Sequence, residues 1–174
     1  QIGFSLYTDL LSKTIEAMKQ QGNVNLAEPF EVGVDINLRV PCLLPADYVP
    51  DVQTRLILYK RISIADENGL NDIKIEMIDR FGLIPKETEF LFRISLLKRL
   101  AKKIGLKKIS ANNQGGSIHF ADNVNIENST LINLINSNDI FQMKGPVNLI
   151  IKKLTNSPEE RFALIENVLN RLLI

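Results

Sequence analysis

Six cations, Lys98, Arg99, Lys102, Lys103, Lys107 and Lys108, follow one another with no acid between them. Such a cluster can neutralise phosphates and release their counterions, which gives nucleic-acid binding a steep salt dependence. It can equally be a solvated helix end, where cations sit well beside the negative pole of the helix dipole. No aromatic residue is interleaved with the six, and the chain balances 21 Lys+Arg against 20 Asp+Glu for a net charge of +1. The balance favours the solvated end, and direct sequence-specific DNA reading is not expected.

A second group has carboxylates on a helix. A rotation of about 100° per residue sets Asp72 at zero, Glu76 at about 40°, Asp79 at about 340° and Arg80 at about 80°, while Leu70, Ile73, Met77 and Phe81 lie between about 100° and 180°. One side is core and the other is acidic with one arginine. Ile75 falls at about 300°, beside Asp79, where a solvated surface has no need of an isoleucine. An apolar residue edged by Asp72, Glu76, Asp79 and Arg80 has the composition of a small docking patch, because carboxylates pair a partner's guanidinium in two-pronged fashion and arginine is enriched at interfaces. The competing reading is an ordinary solvated face with one stray isoleucine.

Other chemistry finds little support. One Cys and one His cannot build a Cys/His zinc site or an internal disulfide, and a reducing cytosolic setting is expected. The nine glycines form neither GxGxxG nor GxxxxGK[ST], and HExxH, CxxC and GxSxG are absent, so no catalytic residue and no metal ligand is assigned. His119 alternates with Ile118 and Phe120 and reads as a surface histidine, and Cys42 as a small core residue. No apolar run approaches the roughly 20 residues of a membrane helix, and no targeting leader is visible. Gln1 stands where a complete chain would have Met, which reads as a fragment.

The elements that must position these groups follow from periodicity. Phe4, Tyr7, Leu11, Ile15 and Met18 predict an amphipathic helix over 3–20, and the polar stretch 22–33, with Gly22, Pro29 and Gly33, reads as a linker. Alternation of Val34, Ile36, Leu38 and Val40 with polar residues predicts a strand, after which Pro41, Pro45 and Pro50 forbid a helix until Asp51. Three consecutive helices are expected: 51–65, apolar all round and so buried on more than one side; 70–81, stopped by Gly82; and 86–104, stopped by Gly105. A hairpin over 106–121 turns at Asn113-Gln114-Gly115-Gly116; a helix over 127–137 and a second hairpin through Lys144-Gly145-Pro146 follow. Ser157, Pro158 and Glu160 open a final helix with a capping box. The fold class is α+β, a mainly antiparallel sheet covered by helices, with an N-terminal helix and a three-helix block.

The run Leu44-Pro45-Ala46-Asp47-Tyr48-Val49-Pro50-Asp51, then Arg55-Leu56 and Leu58-Tyr59-Lys60-Arg61, then Glu76 to Pro85 (EMIDRFGLIP), resembles the C-terminal domain of the bacterial transcription-repair coupling factor (Mfd) family. Lys98, Ala101, Gly105, Lys108-Ile109 and Gly115-Gly116 continue the resemblance, which covers residues 34–174. Gly3-Phe4-Ser5-Leu6-Tyr7 is similar to the segment leaving the family's translocase motor. The implied organisation is an exit helix at 1–21, a linker at 22–33 and a regulatory domain at 34–174.

The resemblance implies a non-enzymatic fragment of an ATP-dependent DNA translocase of the bacterial cytoplasm, acting in transcription-coupled DNA repair. ATP and Mg would be bound by motor domains outside this chain, with no cofactor here. The family displaces RNA polymerase stalled at DNA damage and recruits UvrA, and its C-terminal domain packs intramolecularly on the UvrA-binding domain, an autoinhibition that hides the recruitment surface. Glu76, Asp79 and Arg80 occupy the family's ExxDR positions, which favours the docking patch. Binding of DNA through Lys98–Lys108 remains the alternative. Helix 3–20, deprived of a motor, is expected to pair with a second copy in an artificial dimer.

Overall fold

The computed structural model describes residues 33–122, 124, 126–137 and 139–173. The expected helix 3–20, the 1–21 segment and all but the last residue of the 22–33 linker lie outside them. The described residues divide into two compact units, residues 40–95 and residues 33–39 with 96–173.

The first unit begins with the proline-rich segment and continues into α1 (Val52–Ile64), α2 (Glu67–Phe81) and the opening half of α3 (Lys86–Ile104). Asp51 caps α1 by accepting from the Thr54 N–H at 2.7 Å, and Asp66 caps α2 by accepting from the Gly69 N–H at 2.8 Å. Each cap satisfies a donor that the first helical turn leaves orphaned. Gly82 ends α2 at φ 86° and ψ −160°, a backbone region that glycine alone enters readily. The core is built from Val49, Leu58, Ile62, Leu70, Ile73, Met77, Phe90 and Phe92. Burial of α1 on more than one side is not observed: Leu58 and Ile62 are buried, but Ile57 and Ile64 are 59% and 69% exposed. Ile57 and Ile64, seven residues apart, share an outward face, so the all-round apolar pattern marks one core stripe and one exposed stripe.

The second unit contains the rest of α3, a five-stranded sheet, α4 (Asn128–Asn136) and α5 (Pro158–Leu172). Its strands are β1 (Asp35–Asn37), β2 (Leu106–Asn112), β3 (Gly115–Phe120), β4 (Phe141–Met143) and β5 (Asn148–Ile151), in spatial order β1-β2-β3-β5-β4. Among the described residues only the β1–β2 pairing is parallel. The sheet is therefore mixed and mainly antiparallel, as the α+β pattern requires.

Register sorts the side chains into rows. Ile36, Ile109, Ile118 and Leu149 face each other across β1, β2, β3 and β5 and are all buried. On the opposite face, Asp35, Lys108, His119 and Asn148 form one row, and Asn37, Ser110, Ser117 and Ile150 another. Phe162, Ile165, Val168, Leu169 and Leu172 give α5 its buried stripe. Ser157 caps α5 as expected, accepting from the Glu160 N–H at 3.1 Å, but the Glu160 carboxylate accepts from the Asn156 N–H at 2.7 Å, not from the N–H of Ser157.

Burial alternates from Val34 through Leu44, yet only Asp35–Asn37 is strand. The Asn37 side chain accepts from the Arg39 N–H at 3.1 Å and Arg39 takes φ 55°, which turns the chain out of the ladder. In the β2–β3 hairpin the turn is confined to Asn113 and Gln114, with Asn112 Oδ1 accepting from the Gln114 and Gly115 N–H groups. The two glycines belong to β3 and not to the turn.

Candidate functional site

The segment before α1 is tied both to α1 and to the end of α2. The Tyr48 hydroxyl donates to the Gly82 carbonyl at 3.0 Å, and its ring meets Phe81 edge-on with centroids 5.9 Å apart. Arg55 donates to the Pro50 carbonyl at 3.0 Å, and the Tyr59 hydroxyl accepts from the Leu44 N–H at 2.7 Å. On the α3 side, Lys74 lies 3.5 Å from Glu89 and 5.0 Å from the Phe92 ring centroid. The residues that carry the family resemblance are thus largely spent on one another. They tie the segment 44–51 to α1 and to the end of α2.

Glu76 adds a further tie. Its Oε2 accepts from Arg61 at 2.6 Å and its Oε1 from Arg80 at 2.9 Å, which holds the carboxyl down at about 2. The Arg61 bond is the largest cause and the Arg80 bond the next. With both oxygens committed inside the chain, Glu76 ties α1 to α2 and leaves Arg80 at the surface.

A carboxyl lowered on folding contributes stability that is fully present above its unfolded value, 4.5, and is lost as pH falls through the folded value of about 2. Because the three side chains are 32–47% exposed, solvent screening limits the contribution to about 1 kcal/mol. Acid titration of Glu76→Gln, followed by urea unfolding at each pH, is expected to show a lower stability at neutral pH and a flatter slope between about pH 4.5 and 2. An unchanged slope contradicts the pairing.

Outside this bridge, α2 presents Asp72, Ile75, Ile78 and Asp79 to solvent, with Ile75 68% and Ile78 47% exposed. Ile75 and Ile78 are one turn apart, so they are neighbours on the helix surface. Leu83, just past the Gly82 stop, is 89% exposed. Ile78 and Leu83 were not evident from the acidic pattern, although Ile78 falls at about 240° on the same projection, well off the core stripe.

The cationic residues sit in the other unit. Lys98 is half-buried, whereas Arg99, Lys102, Lys103, Lys107 and Lys108 are exposed, and Lys102 and Lys103 occupy the last turn of α3. Lys108 pairs with Asp35 at 2.9 Å, while a register shift between Leu106 and Lys108 lets both Lys107 and Lys108 face solvent. His119 is half-buried, with Nδ1 2.6 Å from Asn148 Oδ1 on the neighbouring strand, and so is less a free surface histidine than part of the Asp35–Lys108–His119–Asn148 row. Cys42 is buried, its thiol 3.4 Å from the Val40 carbonyl oxygen. Among the described residues no His/Cys/Asp/Glu group could hold a metal ion, and no helix is long and apolar enough to cross a membrane.

The family model described as TRCF domain matches residues 38–131, spanning α1 to α3 and the first hairpin. The chain belongs to the TRCF domain family. It is 40% identical over 167 residues to the transcription-repair-coupling factor of Escherichia coli (strain K12), a match covering 95% of this chain and 14% of that protein. The corresponding protein of Haemophilus influenzae is 36% identical over 173 residues, or 98% of this chain and 15% of the relative. That of Bacillus subtilis (strain 168) is 37% identical over 103 residues, covering 59% and 8%. The TRCF chain therefore spans about a seventh of the length of the first two relatives. A crystal structure of the C-terminal domain of transcription-repair coupling factor superposes with a TM-score of 0.65 at 20% identity, covering 81% of this chain and 94% of that one, which establishes the shared fold.

Proposed function

We propose that this TRCF domain is a regulatory docking module of a transcription-repair coupling factor, seating the outer face of α2 on the UvrA-binding domain so that UvrA recruitment is masked until the motor engages stalled RNA polymerase. The observation that carries the reading is the exposure of Ile75 and Ile78 beside Asp72 and Asp79 on α2. Because Glu76 is neutralised by two arginines, Asp72 and Asp79 supply the charge that a basic partner meets. Arg80 remains at the rim as a donor for a partner carboxylate. ATP, Mg and DNA act through the remainder of the whole protein. The masking contact needs only a few kcal/mol, enough to hide a surface and still open.

The second reading, DNA binding through Lys98–Lys108, draws on the exposure of five of its six cations. Two titrations of the 174-residue chain separate the readings: one with the isolated UvrA-binding domain, one with duplex DNA in a gel shift at two salt concentrations. Capture of the UvrA-binding domain, weakened by about tenfold in Asp72→Lys/Asp79→Lys, supports docking. Salt-sensitive DNA binding without that capture supports the basic patch.

A further inference from the structure

The face of the sheet opposite the buried row holds an open groove of about 550 Å³ between the end of β1, the β2–β3 hairpin and the end of β5. This is within the usual size range of small-ligand sites, about 300–1,000 Å³. Its floor is the Asn37–Ser110–Ser117–Ile150 row, and Arg39 and Lys152 also line it. No carboxylate and no aromatic residue lines the groove. Arg39 and Lys152 are the charged residues that line it.

Three features of the groove suit it to an anion. Ser110 and Ser117 face each other across β2 and β3 and offer two hydroxyl donors. Asn37 uses its Oδ1 to accept from the Arg39 N–H, which leaves its amide hydrogens to donate. Arg39 is kept at φ 55° although it is not glycine, and the adjoining Leu38 carbonyl accepts from buried Arg161 at 2.8 Å. A strained residue held by its surroundings is a common way of presenting a side chain at a ligand clamp. Gly116 plays no part in this argument, since a Cβ there would already meet the Ser110 carbonyl oxygen at 3.0 Å and its smallness is explained by strand packing.

We propose that this groove binds a phosphate-type oxyanion, with Arg39 and Lys152 as its cations and Asn37, Ser110 and Ser117 as its neutral donors. The absence of an aromatic platform means that recognition is of the phosphate and not of a base. Free polyphosphate and a nucleic-acid backbone share that chemistry. The site is separate from the α2 docking face and stands or falls independently of it.

Titration of the 174-residue chain with inorganic pyrophosphate, read by amide NMR shifts, tests the proposal. Saturable shifts are expected at Ser110, Gly116 and Ser117, weakened by about tenfold in Arg39→Gly/Lys152→Ala and retained in Lys152→Arg. The glycine suits the φ of position 39, so the double variant is expected to keep the wild-type spectrum elsewhere. A single-stranded oligonucleotide added to the pyrophosphate complex identifies the source: displacement from the same amides points to a nucleic-acid backbone, and no displacement to a free phosphate ligand. Absence of groove shifts, shifts confined to Lys98–Lys103, or equal binding by the double variant would overturn it.

Discussion

Gly115→Ala is expected to destabilise the sheet-bearing unit by about 3 kcal/mol or more. A Cβ at this position would collide with the Ile151 carbonyl oxygen, a backbone atom of the neighbouring strand that cannot rotate away. Relief requires β3 and β5 to separate where their pairing ends, and φ +153° adds a conformation that L-residues rarely adopt. Gly82→Ala provides the comparison. Nothing lies within 4 Å of its added Cβ, so only the backbone conformation, φ 86° with ψ −160°, is penalised, at about 1–3 kcal/mol. Urea unfolding of the two variants by circular dichroism should shift the midpoint further for Gly115→Ala, which adds the steric clash to its own backbone penalty. Equal shifts would contradict the steric account.

The second large effect is expected at Arg161. Its side chain is buried at 8% exposure, donates to the Leu38 carbonyl at 2.8 Å and lies 3.5 Å from that of Arg39, and leaves its Nε without a partner. Arg161→Ala orphans the Leu38 carbonyl and empties the space beneath the first turn of α5, at a cost of about 2–3 kcal/mol. Arg161→Met keeps an apolar stem and removes the donor. If the bond to Leu38 is what matters, Met restores little of the lost stability; recovery to the wild-type midpoint would show that stem packing alone holds the segment.

These two sites also show where reading the residues in order stops. The element sequence was legible because it depends on local periods and stop signals: Leu70, Ile73 and Met77 form the buried stripe of α2, Gly82 and Gly105 take positive φ, and Ser157 caps α5. The pattern misleads when an apolar residue is outward on purpose. Ile57 and Ile64 suggest extra burial for α1 but are exposed. The alternation from Val34 suggests a longer strand, but burial continues through Leu44 while backbone pairing stops at Asn37.

Tertiary pairing was less accessible. Glu76 looks outward on a helical projection, but its principal partner, Arg61, comes from another helix, and no local spacing specifies that bond. The consequence for the candidate face is a redistribution of roles. Glu76 and Arg61 position the helix, while Asp72, Ile75, Ile78 and Asp79 present the outward surface. The oxyanion groove was likewise invisible along the chain, because Arg39, Ser110, Ser117 and Lys152 meet only through the cross-strand register.

In the proposed docking, the outer face of α2 restrains UvrA recruitment. The most direct measurement is capture of UvrA by a full-length coupling factor carrying this domain, without DNA, comparing wild type with Asp72→Lys/Asp79→Lys and with Ile75→Asp. Loss of the docking contact is expected to raise UvrA capture by about tenfold in both variants, corresponding to about 1.4 kcal/mol of masking. Glu76→Gln should give a smaller rise, because it disturbs the tie of α2 to α1 and not the contact itself. Wild-type levels of capture in both surface variants, with the fold intact by circular dichroism, would contradict the account.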